Sequence, residues 1–392
     1  MKVLHSIHSL DPTHGGTSYG LRGMVDGLMK EGVETEILVL DDAASSWLAE
    51  WPCKVHAAGR GIGGYGLNGR FDECLGRLVE GFDHVVVHGL WQYHGLATRR
   101  ACLRAGIPYS VFPHGMLDRW FAAAYVRKHL LKQLYWWVAE YRLLRDAAAV
   151  FFTTEAEFEA GRDTFFPFAV RMAVAPFGIQ PPAGQAEQYR AEFHRRVPGL
   201  ADKRSLLFLG RLHPKKGCDL LIEGFARWQA SLPPESRDAW RLRMVGPRES
   251  ESYLQHLKAV SAAYDVDRDG LVEFVGIVDG DAKWQEIAQA DALVLPSHQE
   301  NFGVIIAEAL ACGVPVLISN KVNGWQAIEH DGAALVDEDT VDGVIRLLQR
   351  WQAQGPETVD AMRRSARSFF SAKMSAEVGV RAFLSALDNL PE

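Results

Sequence analysis

Short apolar runs alternate with helical stretches along the whole chain, and this alternation most restricts what it can fold into. In the first half the runs expected as strands are Val3–Ile7, Glu34–Leu40, Cys53–Ala57, His84–His88, Pro108–Phe112, Ala149–Thr153 and Arg171–Ala175. Helical stretches such as Ser18–Glu31 and Leu96–Ala105 fall between several of them, as parallel βαβ construction requires. The second half repeats the pattern near Ser205–Leu209, Arg241–Val245, Leu271–Val275, Ala292–Pro296, Pro315–Ile318 and Ala333–Val336, and helices follow from Val341 onward. Between the halves, Phe177-Gly178-Ile179-Gln180-Pro181-Pro182-Ala183-Gly184 reads as a linker. A chain of 392 residues exceeds one ordinary core. The expectation is an α/β protein of two Rossmann-like domains.

Bulk composition excludes several classes. The formal net charge of −7 gives no reason to expect nucleic acid as a partner. Cys53, Cys74, Cys102, Cys218 and Cys312 are scattered without a C-x-x-C pair or zinc-like spacing, as a reducing compartment permits. The chain opens straight into a strand, and no run reaches the ~20 apolar residues of a membrane span. A cytoplasmic location is expected, with any membrane contact peripheral at the inner face.

Two segments carry an anion-binding signature. After the strand Ala292–Pro296 comes Glu300-Asn301-Phe302-Gly303-Val304-Ile305-Ile306-Ala307-Glu308. The Asn-Phe-Gly turn precedes a helix start, whose unpaired N–H groups and positive dipole end suit a phosphate. Glu308 would lie between one and two turns into that helix, roughly 8 Å along at 1.5 Å per residue, within reach of a ribose. Two carboxylates beside a diphosphate need compensating cations. Gly210-Arg211-Leu212-His213-Pro214-Lys215-Lys216-Gly217, directly after the strand Ser205–Leu209, offers them in Arg211 and Lys216. Both segments leave the carboxyl ends of strands, where open α/β sheets bind ligands. Lys215 and His213 read as solvated or incidental.

These motifs, with Gly313-Val314-Pro315-Val316, His14-Gly15-Gly16-Thr17 and Phe112-Pro113-His114-Gly115-Met116-Leu117-Asp118, resemble the retaining glycosyltransferases of family 4. The resemblance covers nearly the whole chain in the expected order. It implies the GT-B fold: Rossmann-like domains at 1–179 (acceptor) and 180–373 (nucleotide-sugar donor) facing each other across a cleft. A last helix within 374–392 would cross back to the first domain. The catalytic set it implies is His114, Arg211, Lys216 and Glu300, with Glu300 and His114 on the donor sugar and Glu308 on ribose. Gly15, Gly16, Asn301, Phe302, Gly303 and Val304 would line the donor site, and backbone near Phe274–Ile277, bounded by Phe274 and Ile277, would meet the base. His88 and Asp118 are acceptor candidates; His14 and Thr17 could add polar contacts.

The implied reaction moves a hexosyl group from a nucleoside-diphosphate sugar to a glycan or lipid-linked saccharide hydroxyl, in surface polysaccharide assembly. No cofactor and no metal are expected. The alternatives are a sugar-nucleotide epimerase on the same scaffold and a non-catalytic nucleotide-sugar-binding subunit; the intact cation pair and both glutamates weigh against the latter. Gly61-Ile62-Gly63-Gly64-Tyr65-Gly66 satisfies G-x-G-x-x-G literally, but it does not sit in the chain's first βα turn and reads as a glycine-rich loop. The Asp-x-Asp triplets at Asp265, Asp267 and Asp269 and at Asp279 and Asp281 lie away from the anion seat. Residues 119–145 interleave bases with aromatics. They read as a core-packing helix with a solvated face, and as the docking place on an anionic membrane if the acceptor is lipid-linked.

Overall fold

The computed structural model describes residues 1–12, 16–117, 126–176, 178–267 and 270–389. The chain divides into two compact units, Met1–Gln180 with Met374–Glu392, and Pro181–Lys373.

The first unit holds seven parallel strands: β1 (Lys2–Ile7), β2 (Glu34–Val39), β3 (Lys54–Ala57), β4 (His84–His88), β5 (Tyr109–Phe112), β6 (Ala149–Phe152) and β7 (Met172–Val174). They lie in the order β3-β2-β1-β4-β5-β6-β7. Strands β4, β5 and β6 are buried at every position, which accounts for their continuous apolar runs rather than a period-two alternation. The order reverses between β1 and β4, so the loops leaving those two strands part and open a crevice at the carboxyl edge. Helix Ala376–Asp388 packs on this unit, with Phe383 against Phe112 and Phe151. Gly27 permits the approach: a Cβ there would stand 2.6 Å from Val380 Cγ2.

The second unit repeats the plan with β8 (Arg204–Leu209), β9 (Trp240–Val245), β10 (Val272–Gly276), β11 (Ala292–Leu295), β12 (Val316–Ser319) and β13 (Ala334–Asp337). All are parallel, in the order β10-β9-β8-β11-β12-β13, and the reversal falls between β8 and β11. Every strand expected from the sequence is present within a residue or so at either end. The glycine-rich stretch near residue 61 is closed by an Ile62–Leu67 bridge. The helix after it starts later, at Gly69, capped by Asn68, so no helix terminus meets a dinucleotide fingerprint there.

Candidate active site

The crevice of the second unit is built from the loop after β8 and the loop after β11. After β8, His213 accepts the Lys215 N–H at 2.9 Å and so starts the short turn Pro214–Lys216. That hydrogen bond gives His213 a structural role. Gly217 then adopts φ +63°, and a Cβ on it would stand 2.3 Å from the Pro296 carbonyl oxygen. Only glycine allows that conformation together with that approach. The loop is therefore pressed against the end of β11, and His298 N donates to the Lys215 carbonyl at 2.9 Å.

After β11, Glu300 is clamped by its backbone to the loop following β12. Its N–H donates to the Lys321 carbonyl, and its carbonyl accepts from Asn323 N at 2.9 Å. The Asn323 side chain also donates to Asn301 Oδ1 at 3.1 Å. Gly303, at φ +65°, is the residue before helix Val304–Ala311 and has no side chain to cap it. The helix start thus lacks a side-chain cap from its N-cap residue, the condition under which first-turn N–H groups can seat an anion. The two loops meet where Lys216 Nζ bonds Glu300 Oε2. A diphosphate at the helix tip would share that ammonium.

Glu308 lies further along the same helix, 5% exposed, and Lys283 Nζ from helix Gly280–Gln289 donates to it at 2.6 Å. Burial holds the Glu308 carboxyl above its ordinary range, and the Lys283 charge pulls it back. Lys283 escaped the sequence reading because it comes from another helix with no motif around it. Arg211 is brought to the same strand edge but turns to Glu249, at 2.9 Å, rather than joining Lys216 on Glu300. Phe274 is half-buried in β10, and exposed Ile277 follows Gly276, whose carbonyl accepts from Gly246 N at 2.7 Å.

In the first unit the notable cluster lies between β1, β4 and β5. His114 occupies a turn after β5 at φ +53°, and Trp91, after β4, at φ +69°. Left-handed backbone at bulky residues is strained and concentrates at functional sites. Both turns are pinned by buried acids. Glu157 accepts from Gly115 N at 2.6 Å and from the backbone and hydroxyl of Thr153. Glu140 accepts from Trp91 N at 2.7 Å. The Trp91 indole in turn donates to the Met116 carbonyl at 3.1 Å. The Thr154–Glu157 pair carries an N-terminal capping signal, and Thr154 does cap that helix; the carboxylate's further reach to the His114 turn has no sequence marker.

His88, expected to face an acceptor, is placed otherwise. It is 1% exposed, with His5 Nδ1 at 2.9 Å from its Nε2 and His114 Nε2 at 3.0 Å from its Nδ1. Both of its ring nitrogens are thus engaged by histidines within the fold, and it lies against His114. Gly16 opens helix Gly16–Lys30 after β1. Gly15, His14 and Asp118 lie outside the described residues, as does the start of the 119–145 segment.

Residues 190–369 match the family described as glycosyl transferases group 1, and residues 15–178 match the glycosyl transferase 4-like domain. The D-inositol 3-phosphate glycosyltransferase of Geodermatophilus obscurus is 32% identical over 165 residues, 40% of this chain and 35% of that protein. The enzyme of the same name from Stackebrandtia nassauensis is 28% identical over 63% of this chain and 55% of its own length. The matches thus span 35% and 55% of the lengths of these two curated relatives. Among solved structures, Anabaena HepE in complex with UDP and glucose superposes with a TM-score of 0.79 at 18% identity, covering all of both chains. WaaG, a glycosyltransferase involved in lipopolysaccharide biosynthesis, gives 0.67 at 18% identity over 97% of this chain and 98% of that one. The fold, the strand-edge motifs and the family descriptions matched at 15–178 and 190–369 agree, and the chain belongs to the family 4 type of glycosyltransferase, with the GT-B fold.

Proposed function

We propose that this protein transfers a hexosyl group from a nucleoside-diphosphate sugar to a hydroxyl of a glycan or lipid-linked saccharide, with retention at the anomeric carbon and without a metal. The observation that carries this reading is the Lys216–Glu300 contact beside the uncapped start of helix Val304–Ala311, at the strand reversal of the second unit. Family membership supports it, as does the fold shared with HepE, which has been crystallised with UDP and with UDP-glucose. WaaG's part in lipopolysaccharide biosynthesis supports a place in surface polysaccharide assembly.

The chemical work is to stabilise charge accumulating on the departing diphosphate while positive character grows on the sugar ring. Lys216 and the Val304 and Ile305 N–H groups take the diphosphate, and Arg211 adds its charge when it leaves Glu249. Glu300 and His114 hold sugar hydroxyls, and Glu308, steadied by Lys283, accepts from the ribose. These fixed positive groups supply what a divalent ion supplies elsewhere. Turnover that EDTA abolishes and magnesium or manganese restores would overturn that part.

An acceptor carried on a lipid agrees with one surface of the first unit. Helix Val126–Tyr135 and the π-turn Trp136–Glu140 expose Leu130, Leu131, Leu134, Trp137 and Val138. Exposed Phe166 joins them, since its carbonyl accepts from the Trp137 indole at 2.6 Å. Arg127, Lys128, Arg142 and Arg145 are exposed on the same segment. The expected core-packing face is present in Trp136, Ala139, Glu140, Leu143 and Leu144, while the exposed face is apolar with basic flanks, the composition of an interfacial helix.

The test is incubation with a panel of UDP-, GDP- and ADP-sugars. Release of free nucleoside diphosphate supports transfer, sugar isomerisation supports an epimerase, and binding without turnover supports a sensor.

A further inference from the structure

In the second unit, helices Ala186–Arg196 and Pro356–Phe369 and the turn closing helix Val304–Ala311 line a cavity of about 290 Å³. Asp360, Arg363, Arg364 and Arg367 reach it from one helix, at the i, i+3, i+4, i+7 spacing that shares a face. Glu187 and Arg190 reach it from the other. Ala288 and Gly313, also in its wall, come just before β11 and β12. The cavity therefore lies at the amino edge of the sheet, opposite the proposed diphosphate seat. Helix Val304–Ala311 separates the two by its eight residues, about 12 Å at 1.5 Å per residue.

Other arginines of this chain meet carboxylates directly: Arg99 on Asp146, Arg243 on Glu286, Arg346 on Asp337. Those around the cavity do not. Arg190 Nε donates to the Ala288 carbonyl at 2.9 Å. Arg363 comes no nearer than 3.7 Å to Asp291 Oδ1, and the other oxygen of that carboxylate accepts from Ser205 N at 2.8 Å. Arg364 and Arg367 are exposed at the rim, and among the described residues neither forms an ion pair. Gly313, at φ +71°, leaves room for the Arg367 guanidinium: a Cβ there would stand 2.1 Å from Nη1. Burial, with the neighbouring Arg363 charge, disfavours the charged form of Arg190, and Asp291 and Glu187 oppose this. Like charges have been gathered here without their counter-charges.

We propose that this cavity is a second anion site, binding a phosphate dianion, free or carried on a small metabolite, through Arg190, Arg363, Arg364 and Arg367. Four guanidinium groups against Glu187 and Asp360 leave two positive charges over, the charge of that dianion. A guanidinium donates through a planar fork that matches phosphate oxygens, so the ligand turns mutual repulsion into charge-assisted hydrogen bonds. The volume stands near the ~300 Å³ lower end of small-molecule pockets, which suits a phosphomonoester no larger than a sugar phosphate. This binding holds whatever reaction the protein performs.

Isothermal titration calorimetry of the full chain with inorganic phosphate and with glucose 6-phosphate, at one fixed low ionic strength, tests the proposal. Saturable binding of at least one of them is expected. Tighter binding of glucose 6-phosphate identifies the carried form, and equal or tighter binding of inorganic phosphate the free one. Arg364→Gln with Arg367→Gln should weaken the binding at least about tenfold, and Lys216→Ala, at the other edge of the sheet, should leave it within about twofold of native. Arg364→Gln alone alters one exposed side chain and should show part of the loss, which guards against misfolding of the double variant. Absence of saturable binding at millimolar concentrations of either probe overturns the proposal. So does binding that survives the arginine substitutions and disappears in Lys216→Ala, since the phosphate would then occupy the diphosphate seat.

Discussion

Lys216 and Glu308 show how differently two residues of one motif pair are supported. Lys216 reaches Glu300 across the strand reversal, and in the proposed reaction its ammonium meets the leaving-group charge. Lys216→Ala is expected to cost ~2.7–4 kcal/mol of transition-state stabilisation, the range for one preorganised donor, read as a fall in kcat/KM for the sugar nucleotide. Glu308 depends on a residue of a different helix. Lys283→Met should push its already elevated carboxyl pKa further up. Between the ordinary and the raised value the folded protein then binds a proton that the unfolded chain does not, so stability falls as pH rises through that interval. Urea titrations should show a deficit of about 1–3 kcal/mol that grows with pH; a deficit shrinking with pH would contradict the pairing. The spacing of Glu300 and Glu308 was legible in the sequence because one short segment carries it. Lys283, Glu249 and Glu157 were not, because their partners lie 25, 38 and 42 residues away.

At the level of elements, strands were the most legible feature, since parallel strands buried on both faces leave unbroken apolar runs. The segment 126–145 was less so. Its π-turn at Trp136–Glu140 leaves no sequence signature, yet it turns Glu140 inward, 2% exposed, beside Trp91 and Lys132. Burial raises the Glu140 carboxyl to about 8, against the smaller opposing effects of the Trp91 N–H and Lys132. Between about 4.5 and 8 the folded state holds a proton that the unfolded chain has lost, so native stability declines as pH rises through that window. Glu140→Gln should remove this decline, matching the native protein near pH 4.5 and exceeding it above pH 8 by roughly a few kcal/mol. Parallel stability–pH curves for the two proteins would refute it. The outer face of the same segment gives a separate expectation. Vesicles containing anionic lipid should carry the protein in flotation, and Leu131→Glu with Leu134→Glu should abolish it. Flotation unaffected by the double substitution would remove the membrane role.

Across the molecule, the same strand plan is used twice, and each unit has its own reversal point with its own chemistry. Histidines, aromatics and two buried acids gather at β4 and β5 of the first; lysines, glutamates and a bare helix start gather at β8 and β11 of the second. The assignment of helix Ala376–Asp388 to the first unit follows from Phe383 and the small residues Gly27 and Gly379, a fit that helical periodicity alone does not reveal. Because only the second unit carries the proposed diphosphate seat, ligand should stabilise the units unequally, by about 2.7 kcal/mol for the second at a hundredfold excess over Kd. Hydrogen exchange across a panel of nucleoside diphosphates tests this most directly. At least one of them is expected to protect residues 210–217 and 296–308, with that protection lost in Lys216→Ala. Protection confined to residues 1–180, or none with any of them, would contradict the account.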